Sequence, residues 1–215
     1  MSLAQKIDHT ILKADCTPEE VVQLCHEALE HGFAAVCIPP YYIKQAVNIL
    51  EDSMVSVATV IGFPMGYSNT PSKVEEIKRA IDEGIDEVDV VINVAAVKDA
   101  NWNFVKNDID STTRAAHLKG KTVKIILETT LLTAEEIERL CEICSEVGVN
   151  YVKNSTGFNG GATVEIISNL RNLLHEDIKI KASGGIRTTA DAEKLIAAGA
   201  DRIGSSSGVH IVRNA

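Results

Sequence analysis

The chain has 215 residues, of which 45% are hydrophobic, 24% are charged and only 4% are aromatic. This balance predicts a globular domain whose core rests on Val, Ile, Leu and Ala, and it argues against disorder. The formal net charge of −9 disfavours binding to nucleic acid, because an acidic surface repels the phosphate backbone.

Cysteine usage and the N-terminal residues bear on the compartment. The five cysteines are odd in number and their spacing forms no disulfide framework, which indicates a reducing compartment. The first residues contain no apolar signal core, and no apolar run is long enough to span a bilayer. We therefore expect a cytoplasmic protein with no membrane partner.

Short β-branched runs alternate with amphipathic helical stretches along the whole chain. The eight predicted strands are 6–12, 34–38, 55–61, 87–93, 122–128, 150–155, 178–182 and 201–204. The predicted helices begin near Pro18, Tyr41, Pro71, Ala100, Ala134, Ala162 and Thr189, and a short last one follows Ser207.

Helix boundary signals support this division. Residues 17–20 (TPEE) and 133–136 (TAEE) each predict a capping box at a helix start. Four glycines each precede a predicted strand, as expected of helix C-caps: Gly32, Gly84, Gly148 and Gly199.

The repeated strand–helix unit predicts the fold. Eight such units without a linker favour a single domain over 1–215, a closed (β/α)8 TIM barrel of the α/β class. The alternative is a doubly wound open sheet, which usually carries a Gly-rich turn after its first strand. Residues 8–15 contain no glycine, so the barrel is favoured.

Three charged residues occupy strand positions near the carboxyl ends of the strands, which is where the active sites of TIM barrels lie. Asp89 lies in a β-branched run of the fourth predicted strand, and Lys153 and Lys181 lie near the ends of the sixth and seventh. If these strands are adjacent and in register, both ammonium groups reach one cavity, with Asp89 across it.

Two lysines near one carboxylate predict a nucleophilic amine. Burial and a neighbouring cation both lower the pKa of a lysine, and a neutral amine attacks a carbonyl carbon to form a Schiff base. The second lysine and Asp89 could then move protons. The alternative is structural, because a lysine at a strand end is commonly a solvated rim residue and an aspartate can cap a loop.

Loops rich in glycine and hydroxyl side chains follow the last three predicted strands. They comprise residues 155–161, which include Thr156 and Gly157, and residues 183–187 and 204–208. Their amides and hydroxyls, with the guanidinium of Arg187, predict a phosphate-binding cup. The alternative is that they are ordinary turns built from small residues.

No metal site is predicted. Cys141 and Cys144 have the spacing of half a zinc site, but there is no second pair and both lie in an amphipathic helix, so packing is favoured. The six histidines show no metal-binding spacing.

Five segments, in order over essentially the whole chain, resemble the deoxyribose-phosphate aldolases: residues 7–10, 60–64, 87–93, 152–158 and 181–187. The resemblance implies a TIM barrel and a class I aldol reaction without metal or cofactor. That reaction interconverts 2-deoxy-D-ribose 5-phosphate with D-glyceraldehyde 3-phosphate and acetaldehyde. The resemblance also implies a small phosphosugar as the substrate and a homodimer or homotetramer.

The resemblance also implies roles for individual residues. Lys153 matches the Schiff-base lysine, Lys181 the second lysine that perturbs it, and Asp89 the carboxylate of the proton relay. The residues that match supporting positions of the site are Asp8, Thr10 and Cys37. The residues that match the family's phosphate site are Gly184, Gly185, Arg187, Gly204, Ser206 and Ser207.

A few positions depart from the family pattern. Asn154 stands where Thr is usual, and by alternation it points away from Lys153. Ser205 stands where Ala is usual, and the loop at 158–161 is a residue shorter than is common, which affects the phosphate contacts. The sequence ends at Ala215, whereas many members have a longer tail that often ends in Tyr, so slower turnover is expected.

Two other interpretations remain open. One is another phosphosugar barrel enzyme, either an aldolase with a different acceptor or an isomerase. The other is a barrel that binds phosphorylated ligands without turnover. The departures near Lys153 permit this second interpretation, whereas the presence of Lys153, Lys181 and Asp89 argues against it.

Overall fold

Eight parallel strands close into one barrel, in the order in which they occur in the sequence, in a computed structural model that describes residues 2–213. The predicted (β/α)8 TIM barrel is thereby confirmed. The strands are Ile7–Thr10 (β1), Ala35–Ile38 (β2), Ser56–Ile61 (β3), Glu87–Val91 (β4), Thr122–Ile126 (β5), Tyr151–Lys153 (β6), Lys179–Ser183 (β7) and Arg202–Ser205 (β8). The expected effect of a chain end at Ala215 lies outside the described residues.

Helices surround the barrel. They are Pro18–His31 (α1), Ile43–Leu50 (α2), Thr70–Asp82 (α3), Val94–Lys98 (α4), Trp102–His117 (α5), Ala134–Val147 (α6), Val164–Leu173 (α7), Thr189–Ala197 (α8) and Gly208–Arg213 (α9). Helices α1, α6 and α8 begin at the predicted residues, and both predicted capping boxes form, at Thr17 and at Thr133. No helix within residues 2–213 is long and apolar enough to cross a membrane.

Helix α4 and the end of the fourth strand differ from the prediction. The sequence pattern predicts a strand through Asn93, but the strand ends at Val91. Asn93 instead caps α4, because its side-chain oxygen accepts a hydrogen bond from the N–H of Ala96 at 3.1 Å. Asparagine favours this local capping bond over a place in a strand, which explains the difference.

Apolar and charged residues occupy opposite sides of the strands. Outward side chains such as Val88, Val90, Val123 and Ile125 are buried in the apolar core that lies between barrel and helices. Inward positions of β1 and of β4 to β8 carry charged side chains instead, and lysines are the largest fully buried residues of the barrel. Because buried charges are tolerated only when they are paired, these inward positions identify the region to analyse for function.

Candidate active site

Lys153, Lys181 and Asp89 meet inside the barrel. Lys153 and Lys181 lie opposite each other in the register of β6 and β7, and both side chains point inward. Their Nζ atoms lie 3.0 Å and 2.9 Å from the same oxygen, Asp89 Oδ2. One buried carboxylate oxygen therefore holds two ammonium groups at hydrogen-bond distance.

Asp89 also holds a third lysine, which the sequence analysis missed. Lys124 lies opposite Asp89 in the register of β4 and β5, and its Nζ lies 2.8 Å from Asp89 Oδ1. Glu87, on the same face of β4 as Asp89, contacts Lys124 Nζ at 2.5 Å. Alternation in the sequence contained the signal, because Lys124 lies between the apolar residues Val123 and Ile125.

Asp8 and Arg202 complete the buried cluster. Asp8 Oδ2 lies 2.6 Å from Lys181 Nζ, and Asp8 Oδ1 lies 2.5 Å from Arg202 Nη1. Arg202 Nη2 also contacts Glu87 Oε1 at 3.3 Å. The sequence analysis named Asp8 but not Arg202, which precedes the glycine and serine run of β8. The cluster thus contains four cations, three lysines and one arginine, and three carboxylates.

The carboxylates decide the protonation of Lys181. Burial alone lowers the pKa of Lys181, but the charges of Asp8 and Asp89 outweigh burial, and this pKa stands above its ordinary value. Lys124 behaves in the same way. Burial also works against the charge of Asp89, yet the three lysines hold its pKa well below its usual range. Lys181, predicted to be the second cation beside the nucleophile, is thus held in its charged form by two carboxylates, Asp8 and Asp89.

A cavity of about 530 Å³ opens at the carboxyl ends of the strands. Lys153 is the one buried lysine of the described chain that lines this cavity. The other residues in the lining that the sequence analysis named are Thr10, Thr156, Gly157, Gly184, Gly185, Arg187, Gly204, Ser205 and Ser206. The Schiff-base candidate and the phosphate-binding candidates thus share one cavity.

Five predicted residues are absent from the lining of this cavity. Lys181 and Asp89 lie in the buried cluster of charges described above, and the other three are Ser207, Asp8 and Cys37. Ser207 is absent from the lining, and its N–H donates to Ser205 Oγ at 2.9 Å. Asp8 is buried within the cluster of charges. Cys37 packs in a small apolar cluster with Ala58 and Val60, and burial raises the pKa of its thiol. Asp8 and Cys37 therefore do not face the cavity.

Comparison with known proteins identifies the family to which the chain belongs. A family model described as DeoC/LacD family aldolase matches residues 2–215. The chain belongs to this family of aldolases. This match and the relatives named below confirm the resemblance that the sequence motifs indicated.

Individual relatives cover nearly the whole chain. The protein named deoxyribose-phosphate aldolase of Desulfitobacterium hafniense (strain DSM 10664 / DCB-2) is 51% identical over 99% of this chain and 98% of its own length. The protein of the same name from Thermococcus gammatolerans is 48% identical over 100% of this chain and 97% of its own. The tetrameric deoxyribose phosphate aldolase structure from Aeropyrum pernix matches with a TM-score of 0.92 and 32% identity, over 98% of this chain and 89% of that one.

Asn154, the departure from the family next to Lys153, joins β6 to β7. Its Nδ2 donates to the carbonyl of Ser183 at 3.1 Å, and its Oδ1 accepts from the N–H of Ser183 at 2.8 Å. The side chain is buried away from Lys153, as alternation predicts. Asn154 thus fixes the two lysine-bearing strands relative to each other.

Glu128 organises the loop after β6, and the sequence analysis did not predict it. Its carboxylate accepts hydrogen bonds from Ser155 Oγ at 2.8 Å, from the N–H of Thr156 at 3.2 Å and from Asn159 Nδ2 at 3.2 Å. It also accepts from the Thr156 hydroxyl. Its backbone has a φ of 58°, unusual for a residue other than glycine, and such outliers cluster at functional sites.

Glycines let the loops after β6 and β7 approach each other. Gly184 has a φ of 95°, and a β-carbon there would lie 2.7 Å from Gly161 Cα and 2.8 Å from the carbonyl oxygen of Gly160. No larger residue fits this contact, because both neighbours are backbone. The close approach brings Thr156 and Gly157 beside Gly184 and Gly185 in the cavity wall.

The two cysteines with half the spacing of a zinc site lie in the core. Cys141 and Cys144 are buried in α6, and burial raises the pKa of Cys141 to about 12. Within residues 2–213 there is no group of three or more His, Cys, Asp or Glu side chains placed to hold a metal ion.

Proposed function

We propose that the protein is a class I aldolase that reversibly cleaves 2-deoxy-D-ribose 5-phosphate to D-glyceraldehyde 3-phosphate and acetaldehyde. The observation that carries this proposal is the position of Lys153, which lines the cavity and contacts an Asp89 oxygen that Lys181 also contacts. Membership of the aldolase family and the names of the relatives support the choice of substrate.

The amine of Lys153 is the proposed nucleophile. In its neutral form it attacks C1 of the open-chain sugar phosphate, and loss of water gives an iminium ion that acts as an electron sink. Lys153 has one carboxylate partner, Asp89, which it shares with Lys124 and Lys181. It is therefore the least compensated cation of the cluster.

Asp89 and Lys181 form the proposed proton relay. Together with a water molecule they remove the proton from the C3 hydroxyl while the C2–C3 bond breaks. Because Asp8 and Asp89 keep Lys181 protonated, the acceptor of this proton is Asp89, which takes it through the water molecule. Lys181 then gives its own proton to the enamine carbon and regains one from Asp89. The triose phosphate leaves, and the remaining enamine is protonated at carbon and hydrolysed to acetaldehyde.

The phosphate end of the substrate is assigned to the loops after β7 and β8. Gly184 and Gly185 offer backbone N–H groups, Ser206 offers a hydroxyl and Arg187 a fixed cation, all in the wall of the cavity that Lys153 lines. Thr156 and Gly157 extend this wall across the loop after β6.

Product analysis and covalent trapping test the proposal. Purified protein given 2-deoxy-D-ribose 5-phosphate should release acetaldehyde, detected by coupled reduction with alcohol dehydrogenase. Borohydride added with acetaldehyde should attach a two-carbon label to Lys153, and the Lys153→Met variant should not acquire it. A folded wild-type protein that releases no acetaldehyde, or a label that persists unchanged in the variant, would overturn the proposal.

We also propose a homodimer or homotetramer that works in the cytoplasm. The tetrameric relative from Aeropyrum pernix supports self-association, and the five free cysteines suit a reducing compartment. Sedimentation velocity over a range of protein concentrations tests the assembly, and a monomer throughout would contradict it.

A further inference from the structure

Three cations and three carboxylates alternate around a closed loop of ion pairs inside the barrel, which we call the charge ring. The contacts are, in order, Arg202 Nη1 to Asp8 Oδ1 (2.5 Å), Asp8 Oδ2 to Lys181 Nζ (2.6 Å), Lys181 Nζ to Asp89 Oδ2 (2.9 Å), Asp89 Oδ1 to Lys124 Nζ (2.8 Å), Lys124 Nζ to Glu87 Oε2 (2.5 Å) and Glu87 Oε1 to Arg202 Nη2 (3.3 Å).

The charge ring is balanced, and Lys153 is attached to it from outside. Each member of the ring has a partner of opposite charge on both sides, so the six formal charges cancel. Lys153 contacts the ring at Asp89 Oδ2, 3.0 Å away, and adds one uncompensated positive charge. An uncompensated buried charge is costly. Removal of one proton from Lys153 removes this charge and leaves the whole cluster neutral.

Arg202 closes the ring at the end of the barrel remote from the reaction cavity. It is the first residue of β8 and lines a second cavity, of about 720 Å³, at the amino ends of the strands together with Glu87 and Tyr151. Its guanidinium carbon lies 5.8 Å from the centre of the Tyr151 ring. Arg202 is absent from the lining of the cavity that contains Lys153, so it does not touch the reacting atoms.

We propose that Arg202 is a positioning residue that acts on Lys153 through the charge ring. By compensating both Asp8 and Glu87 it leaves the ring without net charge, which makes Lys153 the cation that gives up its proton. This inference rests on the proposed role of Lys153 as the nucleophile. Without the guanidinium the ring carries a net negative charge, and a negative charge nearby favours the ammonium form of Lys153.

The titratable and charged groups that act on Lys153, directly or through the charge ring, come from most strands of the barrel and from the cavity rim. They are Asp8 on β1, Cys37 on β2, Glu87 and Asp89 on β4, Lys124 on β5, Lys181 on β7, Arg202 on β8, and Lys13 and Arg187 in the loops. Lys13 is paired with Glu20 at 2.7 Å. Since removal of Arg202 leaves these other groups in place, the direction in which it shifts the protonation of Lys153 follows from the charge ring alone.

Two substitutions of opposite sign test the proposal. Arg202→Met removes a positive charge from the ring, and Glu87→Gln removes a negative one. The readout is the pH at which labelling of Lys153 by acetaldehyde and cyanoborohydride reaches half its maximal rate, measured by peptide mass spectrometry. We expect this midpoint to rise by about one pH unit in Arg202→Met and to fall by a similar amount in Glu87→Gln.

The matched controls keep the ring balanced. Arg202→Lys retains the positive charge, and the double variant Arg202→Met/Glu87→Gln removes one charge of each sign, so both should keep the wild-type midpoint. A merely structural role would not move the two single variants in opposite directions. If Arg202→Met does not fold, Glu87→Gln decides, because its midpoint must fall.

The failures of the two proposals are distinguishable. Single variants whose midpoints stay at the wild-type value, or move in the same direction, would overturn the role of Arg202. A wild-type protein that acquires the label at another lysine would instead overturn the proposed function and, with it, this inference.

Discussion

Gly204 lies against the side chain of Lys181: a β-carbon at position 204 would stand 3.0 Å from Lys181 Cε and 2.3 Å from Ser183 Oγ. Lys181 cannot move aside without losing ion pairs, because its Nζ is bound to Asp8 and Asp89. We therefore expect Gly204→Ala to displace Lys181 from Asp89 and to lower kcat/KM by about 100-fold, as small misplacements in active sites do. The rate of acetaldehyde release measures the effect.

Gly120 is the matched control for this substitution. It also has a positive φ, of 66°, but a β-carbon there would meet no atom within 4 Å. Gly120→Ala should cost about 1 kcal/mol of unfolding free energy, because alanine is strained at a positive φ, and leave kcat/KM unchanged. If Gly204→Ala is as active as Gly120→Ala, the contact with Lys181 has no part in turnover.

Removal of Glu128 should weaken binding of the phosphorylated substrate more than the chemical step. Its carboxylate accepts hydrogen bonds from Ser155 and from Thr156, which lines the cavity, and no ion pair joins it to the charge ring among the described residues. We expect Glu128→Ala to raise KM for 2-deoxy-D-ribose 5-phosphate by about tenfold, equivalent to one lost charge-assisted hydrogen bond. Steady-state kinetics separate KM from kcat.

An exposed glutamate provides the comparison for Glu128. Glu138 lies on the solvent side of α6, and Glu138→Ala should leave both constants unchanged. A kcat that falls while KM stays constant in Glu128→Ala would mean that Glu128 supports the lysines and not the phosphate loops.

The fold could be predicted because its signals are local. β-Branched runs, capping boxes at Thr17 and Thr133, and the positions of glycines are all readable within a few residues of sequence. The errors occurred where one side chain overrides the strand pattern, as at Asn93, which caps α4. Such a choice depends on a hydrogen bond and not on hydrophobicity, so the periodicity of the pattern contains no sign of it.

The site was only partly predictable, because its contacts join distant parts of the chain. Lys153, Lys181 and Asp89 belong to segments that resemble a family, and the structure brings them together. Arg202 and Asp8 are 194 positions apart, and an arginine at the start of a strand gives no local sign that it closes a ring of charges. Only the closure of the barrel places β8 beside β1.

The charge ring predicts how stability depends on pH. Lysines hold the pKa of Asp8 and of Asp89 below its ordinary value despite burial. These carboxylates therefore stabilise the fold above about pH 4, and this contribution is lost as the pH falls toward their lower folded-state pKa. The raised pKa of Lys181 and of Lys124 gives a contribution that is complete below about pH 10 and is lost above it. We expect a plateau between about pH 5 and 10.

Urea unfolding at a series of pH values measures this dependence. Asp8→Asn should reduce the slope of the unfolding free energy between about pH 3 and 4 by up to roughly 1.4 kcal/mol per pH unit, the contribution of one proton. Asp15→Asn is the control, because Asp15 is exposed and its substitution should leave the slope unchanged. Equal slopes in the wild type and Asp8→Asn would contradict the link between the ring and acid stability.

A second buried ion pair, outside the barrel, should act on stability alone. Lys73 Nζ lies 2.6 Å from Asp108 Oδ2 and donates to the carbonyl of Val91 at 2.8 Å, and both charged side chains are buried. Removal of one partner leaves an uncompensated charge, so Lys73→Met and Asp108→Asn should each cost about 3–5 kcal/mol of unfolding free energy.

The double variant Lys73→Met/Asp108→Asn should cost less than the sum of the single variants by about 0.5–3 kcal/mol, because neither charge is then left alone. Lys44, which is exposed, pairs with the half-buried Glu83 at 4.0 Å, so Lys44→Met should change stability by no more than about 0.5 kcal/mol. Additive single costs would show that the two charges do not interact.

Since Lys73 is not part of the charge ring, kcat of the folded Lys73→Met protein should stay at the wild-type value. A lower kcat would mean that the hydrogen bond from Lys73 to Val91 also positions Asp89 on β4.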